Sequence, residues 1–248
     1  MRTIIWFLYF ILYFICLIPK LWYVKHLDKK GEKEKVQAQL DKAVVVWADR
    51  LMRLAGMKIE VEGRENLPEG PAVFVSNHQG NFDIPLLLTR LDRPHGFIAK
   101  IETLKLPLVR DWMKLLHCVF LDRKDARSAV ASLNSGIREL KDGYSIIIFP
   151  EGTRSRGPEM GEFKLGAFTI AGKAKVPVVP LRIDGTYRAM EANGMWIRPA
   201  QVHLTILPPI QTHDKTKAEL KVLGEEVREL IQNAAVEPVR EGEENHVD

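Results

Sequence analysis

The chain has 248 residues, 46% of them hydrophobic, 27% charged and 8% aromatic, with a formal net charge of +4. That is enough for one α/β domain with a full core, too little for two of comfortable size, and unlike a disordered or collagen-like chain. Two cysteines, Cys16 and Cys118, exclude a disulfide framework and a paired Cys-x-x-Cys metal site.

Aromatic residues crowd the front of the chain. Residues 1–23 hold Trp6, Phe7, Tyr9, Phe10, Tyr13, Phe14, Trp22 and Tyr23, and no charge falls between Thr3 and Pro19. As a helix, Thr3 to Pro19 would reach about 26 Å against a hydrocarbon core of roughly 30 Å, so it reads as a tight span or a helix sunk into one leaflet. Arg2 before an apolar run also fits the start of a signal peptide, but no small-x-small cleavage site follows, only Ile18-Pro19-Lys20-Leu21-Trp22. Residues 20–35 then carry Lys20, Lys25, Lys29, Lys30, Lys33 and Lys35 against Asp28, Glu32 and Glu34. Lysines just past an apolar helix mark a cytoplasmic side and favour anionic headgroups. Val36, Leu40, Val44, Trp47, Leu51 and Leu54 form one helical stripe that stops at Gly56. The stripe could simply pack on a core; together the two segments suggest a membrane-dipping helical hairpin over residues 1–56.

After Gly56 the period changes to that of strands. Lys58–Glu62 alternates, residues 63–70 are turn-rich, and Ala72–Val75 reads as a buried strand. Helices are expected at Ile84–Leu91, Leu108–Leu116, Ser128–Leu140 and near Lys215–Gln232. Strands are expected at Phe97–Ala99, Cys118–Leu121, Ser145–Phe149, Val178–Leu181 and Val202–Ile206. This alternation predicts an α/β domain over 57–233, its sheet mixed and partly parallel and flanked by helices. Residues 234–248, rich in acids, are expected to be a disordered tail. No glycine-rich nucleotide loop, no Gly-x-Ser-x-Gly elbow and no basic–aromatic platform for nucleic acid is present.

Two segments carry chemistry. Asn77-His78-Gln79-Gly80-Asn81-Phe82-Asp83 crosses a strand-to-helix junction that Gly80 and Asn81 can fold back. Asp83 at the helix start could reach the His78 imidazole, fix its tautomer and leave the other nitrogen to take a proton from a hydroxyl. The bland alternative is a helix-capping Asp beside an ordinary loop His. His117 and Asp122 repeat the spacing along an expected strand, where five residues span roughly 16 Å and an odd offset points the side chains to opposite faces. The second segment, Phe149-Pro150-Glu151-Gly152-Thr153-Arg154-Ser155-Arg156, follows the most apolar strand, where α/β sheets bind ligands. Gly152 allows close backbone approach, Thr153 offers a hydroxyl and Arg154 a fork for phosphate, while Glu151 could shape the loop or orient Arg154. A solvated turn with two arginines is the competing reading.

Together, Asn77-His78-x4-Asp83 and Phe149–Arg154 resemble the first and third signature blocks of the glycerolipid acyltransferases, most nearly the bacterial 1-acylglycerol-3-phosphate (lysophosphatidic acid) acyltransferases. Val119-Phe120-Leu121-Asp122-Arg123 is similar to the intermediate block and Val176–Pro180 to the fourth, over roughly residues 57–210; Phe82 departs from the commoner Leu or Val. The resemblance implies that His78, oriented by Asp83, is the general base in acyl transfer from an acyl-CoA or acyl carrier protein thioester to the free hydroxyl of lysophosphatidic acid. It also implies that Lys100, Arg123, Glu151, Gly152, Thr153 and Arg154 bind the substrate, chiefly its phosphate. No metal, no other cofactor and no nucleic acid is implied. Membrane phospholipids are the expected surroundings, at the cell membrane, with the catalytic domain on its cytoplasmic side. An oxyanion hole is expected; the fourth block could supply backbone to it or could be a structural edge. Glycerol 3-phosphate or another lysophospholipid as acceptor, and a non-catalytic lipid-binding protein, are the alternatives.

Overall fold

The computed structural model describes residues 1–122 and 125–234. Arg123 and the expected tail from 235 on lie outside the described residues.

The N-terminal segment folds as three helices, α1 (Arg2–Cys16), α2 (Ile18–Lys29) and α3 (Lys33–Ala55). The first arm of the expected hairpin is therefore broken, with a 45° bend between α1 and α2. Pro19 sits in the first turn of α2, where its missing N–H is harmless; a continuous helix would need that N–H and would clash with its ring. No single helix among the described residues is long and apolar enough to cross a membrane; the bent pair meets that test only jointly. α3 ends as its stripe predicts, with Gly56 in the left-handed conformation at φ 79°.

Seven strands form one sheet: β1 (Met57–Glu62), β2 (Val73–Ser76), β3 (Gly96–Lys100), β4 (Val119–Leu121), β5 (Ile146–Ile148), β6 (Val178–Asp184) and β7 (Ala200–Ile206), in the order β1-β7-β6-β2-β5-β3-β4. The five strands from β6 to β4 run parallel; β7 is antiparallel to β6, and β1 follows β7 in parallel. Between the strands lie α4 (Asp83–Arg90), α5 (Pro107–Leu115), α6 (Ala126–Lys141), α7 (Gly166–Ala174) and, last, α8 (Lys217–Asn233).

Strand alternation divides the core between the two faces of the sheet. Phe74, Ile147, Val179 and Leu181 join a cluster with residues of α3 and α4, while Val73, Val75, Ile146, Ile148 and Val178 join Phe168, Ile170, Leu223 and Val227 of α7 and α8. Trp6, Leu21, Val24 and Leu27 of α1 and α2 belong to the first cluster, and Trp6 Nε1 donates to the Leu51 carbonyl at 2.9 Å. The other side of α1 is uncovered: Ile4, Ile5, Leu8, Ile11, Leu12 and Ile15 are each more than half exposed. Trp22 and Tyr23 of α2 are exposed as well.

Helix α7 is the element the sequence pattern does not announce. Its residues, Gly-Ala-Phe-Thr-Ile-Ala-Gly-Lys-Ala, include two poor helix formers. The small ones serve a helix crossing: Gly172 faces Leu220, and Gly224 of α8 faces Phe168. The fourth block, Val176–Pro180, supplies the start of β6 and does not line the site described below. Pro180 accepts from Leu207 N–H at 2.9 Å, just where β7 has run out and no return donor is needed.

Candidate active site

Sheet register brings the two signature segments together. In the parallel β2–β5 pair Val75 lies opposite Ile148, so His78 and Glu151, each three residues further on, emerge side by side at the carboxyl edge. His78 N–H donates to Glu151 Oε1 at 2.7 Å, Ser155 N–H to the His78 carbonyl at 2.8 Å, and Arg156 N–H to the Gln79 carbonyl at 3.1 Å. The other oxygen of Glu151 accepts from Gly161 N–H at 2.9 Å. Glu151 is buried and faces backbone rather than Arg154 or the cavity. On the β6 side, Asn77 clasps Ile183 with its whole amide, donating to the carbonyl and accepting from the N–H at 2.8 Å each.

The His78–Asp83 junction folds back sharply. Asp83 is fully buried as the first residue of α4, where it makes no cap hydrogen bond to the helix; Oδ2 instead accepts from the loop N–H groups of Gln79 at 2.7 Å and Gly80 at 3.0 Å. The same oxygen lies 2.7 Å from His78 Nδ1, so the residue ties the loop together and orients the imidazole at once. Since Oδ2 already accepts two N–H bonds, the consistent tautomer carries hydrogen on Nδ1 and leaves the Nε2 lone pair free. Oδ1 accepts from Thr186 Oγ1 at 2.5 Å. The imidazole is pinned in its plane by Phe149, stacked at 4.0 Å between centroids and 14° from parallel. Its side chain is 17% exposed, and Nε2 has no hydrogen-bond partner among the described residues.

His78 opens onto a cavity of about 560 Å³. The cavity follows β3 from Phe97 to Lys100, roughly 10 Å of strand. Near Phe97 the walls are apolar, with Trp112, Met113, Leu116 and Cys118, and α3 adds Ala43, Val44 and Trp47. At the carboxyl edge the lining turns polar and cationic: His78, Asn81, Lys100, Thr153, Arg154 and Arg156. Arg154 Nη1 donates to Asn81 Oδ1 at 2.5 Å and lies 3.4 Å from Glu191 Oε1. The Cys118 thiol accepts from Phe97 N–H at 3.3 Å and is pushed up to about 12 by burial, which keeps it in the protonated, unreactive form at neutral pH. No group of three His, Cys, Asp or Glu side chains with the spacing of a metal site occurs among the described residues.

Of the candidate residues, the structure brings His78, Lys100, Gly152, Thr153 and Arg154 to one cavity, with Asp83 behind His78 and Glu151 beneath the loop. His117 is not on a strand: it precedes β4 with φ at 59°, stacks on Tyr144 and turns its Nδ1 to Glu139 at 2.9 Å. Thr186, Asn77 and Phe149 have contacts in the site that sequence reasoning did not assign. Thr186 follows a buried strand through Gly185, at the same sheet edge, and that position was the available signal.

A family model described as "Acyltransferase" matches residues 58–184. The chain belongs to the acyltransferase family. A solved structure of the 1-acyl-sn-glycerophosphate (LPA) acyltransferase PlsC from Thermotoga maritima superposes with a TM-score of 0.74 at 32% identity, over 94% of this chain and 95% of that one. The probable 1-acyl-sn-glycerol-3-phosphate acyltransferase of Mycoplasma genitalium is 34% identical over 191 residues, 75% of this chain and 69% of the relative. The chloroplastic 1-acyl-sn-glycerol-3-phosphate acyltransferase LPAT1 of Arabidopsis thaliana is 45% identical over 156 residues, 62% of this chain and 44% of the relative. The chain spans about half the length of several curated relatives it matches. The matched span of this acyltransferase contains both segments that meet at the carboxyl edge of the sheet, His78–Asp83 and Phe149–Arg156.

Proposed function

We propose that this chain is a 1-acyl-sn-glycerol-3-phosphate acyltransferase. It moves a fatty acyl group from a thioester of coenzyme A or acyl carrier protein to the free hydroxyl of lysophosphatidic acid, giving phosphatidic acid. The observation that carries this reading is the free Nε2 of His78, backed by buried Asp83, facing a cavity that is apolar along β3 and cationic at its carboxyl edge.

In this reading His78 Nε2 takes the proton of the acceptor hydroxyl as its oxygen attacks the thioester carbonyl carbon. The new C–O bond forms, the carbon–sulfur bond breaks, and the imidazolium returns the proton to the departing thiolate. Asp83 stabilises the transient imidazolium and keeps the ring's tautomer fixed. Arg154, with Thr153, Gly152, Lys100 and Arg123, holds the acceptor's phosphate; Glu151 acts on it indirectly, by tying the loop to the His78 backbone. The apolar walls around Trp47, Trp112 and Leu116 take an acyl chain. No acyl-cysteine forms, in keeping with a Cys118 thiol held protonated.

Residues 1–56 serve as the membrane-associating unit and 57–233 as the acyltransferase domain. The exposed stripe of α1 enters the interface of the cell membrane, and the lysines that follow it keep the domain on the cytoplasmic side. The test is acceptor choice with acyl-CoA as donor: lysophosphatidic acid, glycerol 3-phosphate, lysophosphatidylcholine and monoacylglycerol. Lysophosphatidic acid should have the highest kcat/KM, and Arg154→Ala should lower it chiefly through KM. Equal use of monoacylglycerol, which has no phosphate, or preference for glycerol 3-phosphate would refute the assignment.

A further inference from the structure

Glu191 belongs to none of the sequence motifs, yet its carboxylate touches both loops of the site. It stands on a short 3-10 turn, Glu191–Asn193, beyond β6, with its side chain only 3% exposed. Oε1 accepts from Asn81 N–H at 2.7 Å and lies 3.4 Å from Arg154 Nη1. Oε2 is buried with no hydrogen-bond partner. Gly80 makes room for it: a Cβ at that position would lie 2.4 Å from Oε2.

An unpaired oxygen on a buried carboxylate is costly, and folding alone does not require one here. An amide in the same place would accept from Asn81 N–H equally well. What a carboxylate adds is a negative charge facing the Arg154 guanidinium. With Nη1 engaged by Asn81 Oδ1 and Glu191 Oε1, the edge formed by Nε and Nη2 has no hydrogen-bond partner among the described residues, on a side chain that lines the cavity. That edge is the one suited to bidentate binding of a phosphate.

We propose that Glu191 is a positioning residue: it fixes Arg154 so that its free edge meets the acceptor's phosphate, and it holds the Gly80–Asn81 segment of the His78 loop at the same time. The proposal rests on the acyltransferase reading for the identity of the acceptor. A residue 37 positions beyond Arg154 thus sets phosphate affinity without touching the phosphate.

The test is Glu191→Gln in the full chain, read by steady-state kinetics and by quenching of the cavity tryptophans Trp47 and Trp112 on titration with lysophosphatidic acid. Loss of one charge-assisted contact predicts about a tenfold rise in the Kd and KM for lysophosphatidic acid. The KM for acyl-CoA and the Kd for monoacylglycerol should stay unchanged, and kcat should fall by less than about threefold. In an Arg154→Ala background the substitution should add less than about a twofold effect, because it acts through that arginine. Gly80→Ala, which pushes the carboxylate away from below the loop, should reproduce the weakened phosphate binding and serves as the second variant if Glu191→Gln does not fold. Unchanged lysophosphatidic acid affinity, an equal loss for monoacylglycerol, or additive effects with Arg154→Ala would overturn the proposal. A wild type that binds lysophosphatidic acid without turning it over would defeat the acyl-transfer reading alone.

Discussion

Asp83→Asn separates the two jobs that the buried carboxylate performs. As a tie for the loop, Oδ2 accepts from the N–H groups of Gln79 and Gly80; as a partner of His78, it lies against Nδ1. An asparagine can keep its amide oxygen in that place, and its NH₂ can donate to Thr186 Oγ1, whose hydroxyl then turns to accept. The loop should therefore keep its shape. What disappears is the charge opposite the imidazolium that forms as the hydroxyl loses its proton. With about 4 Å between charge centres and an effective dielectric of about 20, the lost attraction is about 4 kcal/mol. That predicts a fall of about a thousandfold in kcat, with Tm nearly unchanged. Asp83→Ala, by contrast, orphans two buried N–H groups at about 1–3 kcal/mol each and should lower stability as well. The assay is phosphatidic acid formation at saturating lysophosphatidic acid and acyl-CoA, alongside thermal unfolding of both variants. A folded Asp83→Asn protein within tenfold of wild-type kcat would refute the reasoning and leave Asp83 a structural tie of the His78 loop.

Three further outcomes follow from the same geometry. Asn77→Ala leaves the N–H and the carbonyl of Ile183 without their partner, which should cost about 2–4 kcal/mol and lower Tm by roughly 10 °C in thermal unfolding; a loss below about 1 kcal/mol would contradict the clasp. Because burial raises the Cys118 thiol to about 12, it is protonated at pH 8, so iodoacetamide should leave it unlabelled in the folded protein and modify it after denaturation, as read by peptide mass spectrometry. Deleting residues 1–30 would remove Trp6, Leu21, Val24 and Leu27 from the core, so Leu8→Glu with Leu12→Glu is the cleaner test of membrane docking. Both side chains are more than half exposed, so Tm should hold while sedimentation with anionic vesicles falls at least about tenfold; undiminished sedimentation would refute the docking face.

The fold was legible where the pattern was local. The stripe from Val36 to Leu54 and its stop at Gly56 specify α3, and the alternation over Lys58–Glu62 specifies β1. Helix α7 was not, because Gly166–Ala174 lacks a strong stripe and owes its helix to packing against α8. The direction of β1 and β7 was also hidden, since strand pairing joins Met57 to Ala200 across the whole domain. In the site, His78 and Asp83 were readable because they are five residues apart across one junction. Thr186 and Glu191 reach the same loop from more than 100 residues away; the buried strand before Thr186 hints at the sheet edge but not at its partner, and nothing in the neighbourhood of Glu191 records its contact. Glu151 was readable as a member of the loop but not as its tie to the His78 backbone, which depends on the β2–β5 register. Pro19, visible in the sequence, accounts for the break between α1 and α2 once a helix is known to run through both sides of it.

The most direct test of the central claim is phosphatidic acid formation by the purified full chain from lysophosphatidic acid and acyl-CoA, or acyl carrier protein thioester, with His78→Ala run beside it. The account predicts product from the wild type and essentially none from a folded His78→Ala protein. Product formed equally by both would contradict a base at His78, and none from the wild type with either donor would contradict acyl transfer to lysophosphatidic acid.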